Sequence, residues 1–182
     1  FKGLIKDEIM NNRNKKLLPY YEKARDTLKY NPESGEIFRY IKSRNRYEVA
    51  GAINRNGYGQ VSIVLDGLSK KLLSHRVAWF ITYEELPIEF IDHKDGNKMN
   101  NSISNLRACT NQENQFNRSK DIDNSTGFKG VAWNKARMKY QSKLGYNGKV
   151  LHLGMFDCPK EASEAYEAKS KELFGDFYAE EA

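Results

Sequence analysis

Cysteine is nearly absent. Cys109 and Cys158 are the only two in 182 residues, too few and too far apart for a disulfide framework or a tetrahedral thiolate metal centre. Long apolar runs are missing as well: no stretch approaches the ~18 consecutive apolar residues of a membrane span, and the opening FKGLIKDEIMNN has no secretory apolar core. The expectation is therefore a soluble, intracellular protein with no membrane partner. The first residue is Phe1, so a signal encoded upstream lies outside this reading. Charge of one sign is in modest excess only, 30 Lys and Arg against 24 Asp and Glu for a formal +6. Such an excess implies an acidic partner only if the cations share one surface.

What is present is core material. Apolar residues make up 39% and aromatics 12%, with 11 Tyr and 9 Phe, too much for a disordered chain. The length suits one domain and a smaller module. Cations and acids separate towards the C-terminus: residues 128–150 hold Lys129, Lys135, Arg137, Lys139, Lys143 and Lys149 and no acid, whereas residues 157–182 hold eight acids against three lysines. A C-terminal module with one basic and one acidic face is expected.

Residues 1–18 are polar and basic without a period and read as a tail or linker. From Pro19, Tyr20, Tyr21, Ala24 and Leu28 recur at helical spacing up to the Asn31-Pro32 break. Residues 32–76 read as an antiparallel meander with turns at Asn56-Gly57 and Asp66-Gly67, and residues 75–84 as a helix. Residues 88–118 are crowded with asparagine, a residue of turns and local side-chain bonds. They read as a loop between a short strand at 89–92 and a helix at about 111–118, which Thr110 would cap with Glu113 three residues on. Residues 119–127 are a polar linker. Residues 128–182 read as three strands, a hairpin at Asn147-Gly148, and an amphipathic helix ending at Gly175.

Asp92 and His93 end a strand, followed by the Asp95-Gly96 turn. Alone this marks no chemistry, because neighbouring strand side chains face opposite ways and a lone histidine is commonly structural. The whole string IDHKDGNKMNNSISNLRACTNQENQFNR, however, resembles the HNH endonucleases, in particular the phage and intron-encoded homing type. It carries an Asp-His pair, an Asp-Gly-Asn turn, an Asn-Asn pair, Asn-Leu a dozen residues after the histidine, and an asparagine-bearing helix. With HRVAWF, NGYGQVSI and NPESGEIFRY, the likeness spans residues 19–118. It implies an α+β fold in which a ββα-metal nuclease domain follows an N-terminal meander, and hydrolysis of a DNA phosphodiester with one divalent ion, Mg²⁺ or Mn²⁺.

Residue by residue, the resemblance makes His93 the general base, Asp92 and Asn114 the metal ligands, and Asn105 the brace of the loop that aims His93. Many family members have histidine where Asn114 stands, and Asn117, one helical turn on, is the alternative ligand. The side chains suit these roles. Imidazole titrates near neutrality, and hard oxygen donors suit magnesium or manganese. Asn97, Asn100 and Asn101 read as loop builders. His75 could touch the scissile region or pack at a helix start, the better reading.

Residues 128–175, with KGV, LGMF and EASEAY, resemble the plant ethylene-response-factor type of DNA-binding domain, whose three-stranded sheet enters the major groove. The resemblance and the cation cluster together nominate Lys129, Trp133, Lys135, Arg137, Lys139 and Lys143. The lysines would hold phosphate, with Arg137 and Trp133 for base or sugar. Trp133 reads equally as a core aromatic. Ala132 and Asn134 stand where the plant proteins carry arginine, so the plant recognition sequence is not carried over.

The expected protein is a metal-dependent endonuclease that acts on double-stranded DNA in a host cytoplasm, with no protein partner implied. The alternatives are a non-catalytic DNA-binding regulator on a degenerate nuclease fold and an RNA-directed nuclease.

Overall fold

A computed structural model describes residues 12–86, 89–116 and 125–177. The expected ends of the chain, most of the linker, and Asn117 lie outside these residues. The chain divides into two compact units, Phe1–Cys109 and Thr110–Ala182.

The first unit begins with helix α1, Asn12–Thr27. The helix starts seven residues before Pro19, so residues 12–18 are not a tail where they are described. Pro19 read as a first helical residue, but tertiary contacts extend the helix upstream of it. Leu17 and Leu18 pack on the core beside Tyr20, Tyr21 and Ala24, and Asn14 Oδ1 accepts a 2.9 Å bond from Arg76.

The expected meander is two three-stranded antiparallel sheets. One comprises β1 (Leu28–Tyr30), β2 (Ile37–Ile41) and β3 (Arg46–Val49), the other β4 (Ala52–Ile53), β5 (Gly59–Leu65) and β6 (Leu68–Leu73). Alternation fixes the faces of β5: Val61 and Ile63 are buried while Ser62 and Val64 are exposed. Asp66 and Gly67, at φ 50° and 75°, make the tight turn that pairs Leu65 with Leu68.

Helix α2, Ser74–Tyr83, buries Val77 and Phe80 in the core that holds Tyr21, Val61 and Leu72. Its last turn closes where Glu84 adopts a left-handed conformation and its N–H bonds Phe80 O at 2.9 Å. Hairpin β7 (Phe90–His93) and β8 (Leu106–Cys109) then packs Ile91 and Leu106 on Ala78 of α2. The periodicity reading had placed β8 in a loop, because LRAC is too short and mixed to read as a strand before its partner is known. The family resemblance had implied the hairpin.

In the second unit, α3 (Asn111–Phe116) opens with a reciprocal cap. Thr110 N–H donates to Glu113 Oε2 at 2.8 Å and Glu113 N–H to Thr110 Oγ1 at 3.3 Å. Strands β9 (Val131–Asn134), β10 (Lys139–Tyr146) and β11 (Lys149–Phe156) form an antiparallel sheet, and α4 (Pro159–Phe174) covers one face through Leu144, Tyr166 and Phe174. Gly130 is obligatory at the rim of that core: a Cβ there would stand 2.1 Å from the Tyr166 ring. The overall class is α+β, as expected.

Candidate functional site

The β7–β8 register sets Asp92 opposite Arg107 and His93 opposite Leu106. Arg107 Nε and Nη2 donate to Asp92 Oδ2 at 2.9 and 2.8 Å, and both side chains are largely buried, 13% and 7% exposed. A buried carboxylate needs such a partner, since loss of hydration costs several kcal/mol per ion. Sequence reading missed Arg107, because only the hairpin register brings it beside Asp92.

His93 is 4% exposed. Its ring meets His75 edge-on at 5.1 Å and 84°, and Tyr58 lies at 6.1 Å from it and 5.5 Å from His75. His93 Nε2 lies 3.1 Å from Asn101 Oδ1. His75 is 5% exposed, and its Nδ1 has no hydrogen-bond partner among the described residues. Burial, then the charges of His93 and Arg76, push its pKa down to about 3, so the ring is neutral at physiological pH. The packed reading of His75 accounts for its burial, and its ring contact also puts it against His93.

The loop after His93 is held by asparagine side chains. Asn105 accepts from Asp95 N–H at 3.1 Å and donates to Asp95 Oδ1 at 2.9 Å and Asn100 O at 2.8 Å. Asn100 Nδ2 reaches Asp95 Oδ2 at 2.7 Å. Burial raises the Asp95 pKa, but the bonds from Asn100, Asn105 and the Asn97 N–H, with the charge of His93, outweigh it and hold the carboxyl below its ordinary value. Through these bonds Asn105 ties the loop, while Asn101 is bonded to the His93 ring. Nothing in composition or spacing separates Asn101 from Asn97 or Asn100.

Asn114 lies on α3 in the second unit, half-buried, with its N–H on Thr110 O at 3.0 Å. Among the described residues no three His, Cys, Asp or Glu side chains gather where they could hold a metal.

In the second unit, Lys143 stands beside His152 across the β10–β11 ladder, on the sheet face away from buried Leu144. Gln141 Nε2 bonds His152 Nδ1 at 3.0 Å. Trp133 is 41% exposed and edge-on to Tyr140 at 4.8 Å. By alternation it shares the face of buried Val131, so Trp133 and Lys143 point to opposite sides. Lys135 and Arg137 are exposed in the turn between β9 and β10, Lys129 is half-buried, and Lys139 pairs with Asp157 at 3.1 Å.

A family model described as HNH endonuclease matches residues 73–116. An uncharacterized HNH endonuclease of Acanthamoeba polyphaga mimivirus is 32% identical over 111 residues, covering 60% of this chain and 57% of that protein. Protein 3.8 of Escherichia phage T7 is 32% identical over 88 residues, 48% of this chain and 72% of that protein. A solved structure titled for DNA binding and cleavage by the HNH homing endonuclease I-HmuI aligns with a TM-score of 0.40 at 31% identity, covering 49% of each chain. The chain thus spans little more than half the length of the mimivirus relative.

Proposed function

The chain belongs to the HNH endonuclease family, and on that premise we propose that it is a metal-dependent endonuclease acting on double-stranded DNA, with His93 as general base. The supporting observation is the placement of His93. It is buried at the end of β7, with its ring against His75 and bonded to Asn101, within the segment that the family model matches.

His93 takes a proton from water, the resulting hydroxide attacks phosphorus, and the bond to the leaving oxygen breaks, that oxygen keeping the electron pair and taking a proton from solvent water. Asn105, through Asp95 and Asn100, keeps the loop after His93 in one conformation.

The donor chemistry fits a hard divalent ion. Asp92 offers carboxylate oxygen, of which Oδ2 carries the Arg107 bonds, and a magnesium or manganese ion keeps most of its waters and needs few protein ligands. Asp92 would hold that ion. The ion, when bound, supplies neutralisation of charge on the phosphate and the leaving oxygen.

The second unit serves as the DNA tether, resembling the ethylene-response-factor type, with Lys129, Lys135, Arg137, Lys139 and Lys143 as its contact set, while Trp133, on the face opposite Lys143, drops out of it. Tethering raises the local concentration of target at the catalytic unit. Arg137, Lys135 and Lys143 are the exposed cations best placed to meet phosphate. Lys139 would first have to leave Asp157.

The test is plasmid cleavage by the wild type and His93→Ala with Mg²⁺, with Mn²⁺ and with chelator. Nicked or linear product from the wild type alone, and only with metal, supports the reading. DNA retardation without cleavage by either protein replaces it with the DNA-binding regulator.

A further inference from the structure

We propose that Asn101 is the positioning residue that fixes the tautomer and aim of His93, and that the N-terminal sheet β1–β3 with its turn is the clamp that holds Asn101. The inference rests on the reading of His93 as the base and says which atom of it takes the proton.

The orientation of the Asn101 amide follows from its two neighbours. Its Nδ2 donates to Met99 O at 3.3 Å. Reversed, the amide would set its oxygen against that carbonyl, acceptor against acceptor. Oδ1 is therefore the atom 3.1 Å from His93 Nε2, and an amide oxygen only accepts, so His93 Nε2 carries the hydrogen. A neutral imidazole has one N–H and one lone pair. The lone pair is then on Nδ1, which is the base.

Asn101 is itself held from the N-terminal side. Tyr30 at the end of β1 donates its hydroxyl to Asn101 O at 2.8 Å. Burial, then the charge of Tyr83, pushes the Tyr30 pKa up to about 12, so it stays a donor throughout the working range. The Ile103 N–H bonds Pro32 O at 2.9 Å. Gly35, at φ 76°, presses so close that a Cβ would lie 2.4 Å from the Asn101 carbonyl carbon and the Ser102 nitrogen. Three contacts from the turn and strand, two on the Asn101–Ser102 peptide and one on the next, make the sheet part of the site, although none of its residues touches the His93 ring in these bonds and ring contacts. The neutral His75 ring against His93 limits the rotations left to it.

The experiment is ring-nitrogen NMR of the full chain, which has only three histidines, in slightly alkaline metal-free buffer, alongside steady-state cleavage. The wild type shows His93 protonated at Nε2 and bare at Nδ1. Asn101→Ala mixes the tautomers and lowers kcat roughly 10- to 100-fold, the usual cost of losing the partner that orients an imidazole, with KM for DNA unchanged. Asn101→Asp keeps an acceptor oxygen and so keeps the tautomer. Tyr30→Phe shifts the same signals by less.

A wild type protonated at Nδ1 overturns the inference without any variant, and so does an Asn101→Ala protein whose tautomer and kcat match the wild type. If Asn101→Ala does not fold, the wild-type spectrum with Asn101→Asp and Tyr30→Phe decides. A wild type that shows the expected tautomer but cuts no DNA keeps the positioning and removes the base.

Discussion

The two units handle polar groups in opposite ways. Around His93 the first unit buries Asp92, His93, Asn101 and Asn105 to between 4% and 8% exposure and engages them with side chains and carbonyls that lie from 2 to 71 positions away in the chain. The second unit leaves Lys135, Arg137 and Lys143 in solvent and buries a small apolar core around Leu144, Tyr166 and Phe174. Chemistry at one atom needs a group held within a fraction of an ångström in a dry setting. Attraction to a charged polymer works through water, at a distance, with side chains free to move. The first arrangement is sensitive to single atoms, the second to the sum of charges.

The sharpest way to break this contrast is His93→Ala. Removal of a general base costs roughly 10²- to 10⁴-fold in rate, and gel retardation of DNA should stay at wild-type strength. An equal loss of binding would mean that the two units do not divide the work.

Arg107→Ala comes next, since it leaves Asp92 buried without its main partner. Denaturant unfolding should show a loss of about 3–5 kcal/mol in the first unit, while Asp92→Asn costs less. Equal costs would mean that the pair is not a buried one in solution.

Acid provides a third probe. The folded pKa of His75 is about 3 against an ordinary value near 6.5, so in that window the unfolded chain binds the extra proton. Stability of the first unit is then fully present above about pH 6.5, falls as the pH drops towards 3, and loses on the order of a few kcal/mol. His75→Phe should flatten that slope in a pH series of unfolding midpoints, and an unchanged slope would show that His75 is hydrated.

Gly130→Ala probes the core of the second unit. Overpacking against Tyr166 costs roughly 1–3 kcal/mol and should lower the stability of the second unit. The smallest effect is expected from Lys143→Ala, which should weaken DNA binding a few-fold and reduce the salt dependence by about one counterion. Cleavage at saturating DNA should be unaltered. A larger effect there would give Lys143 a role beyond phosphate attraction.

Legibility in the sequence followed the range of the interaction. The turns at Asp66-Gly67 and Asn147-Gly148 were readable because these residues reach positive φ at little cost, and all four adopt it. The Thr110–Glu113 cap, the α2 helix and the stop at Gly175 were readable for similarly local reasons. The start of α1 was not, because its first turn is held by Arg76, 62 residues away. Nor was the placement of Trp133, since exposure of a rim aromatic depends on how far α4 reaches across the sheet.

The site divides along the same line. Asp92, His93, Asn105 and Asn114 were nominated by the family resemblance, whereas Arg107, His75, Tyr58 and Asn101 emerged as neighbours of Asp92 or His93 only in three dimensions.

The sequence by itself determined where the backbone turns, which stretches alternate, which segment carries Asp92 and His93, and where the cations gather. Each of these depends on residues within a few positions of one another. Tertiary structure alone decided which of several chemically identical asparagines faces His93. An amide side chain has no preference for one imidazole over any other donor until the loop is closed. That closure is set by Tyr30, Pro32 and Gly35, some seventy residues upstream.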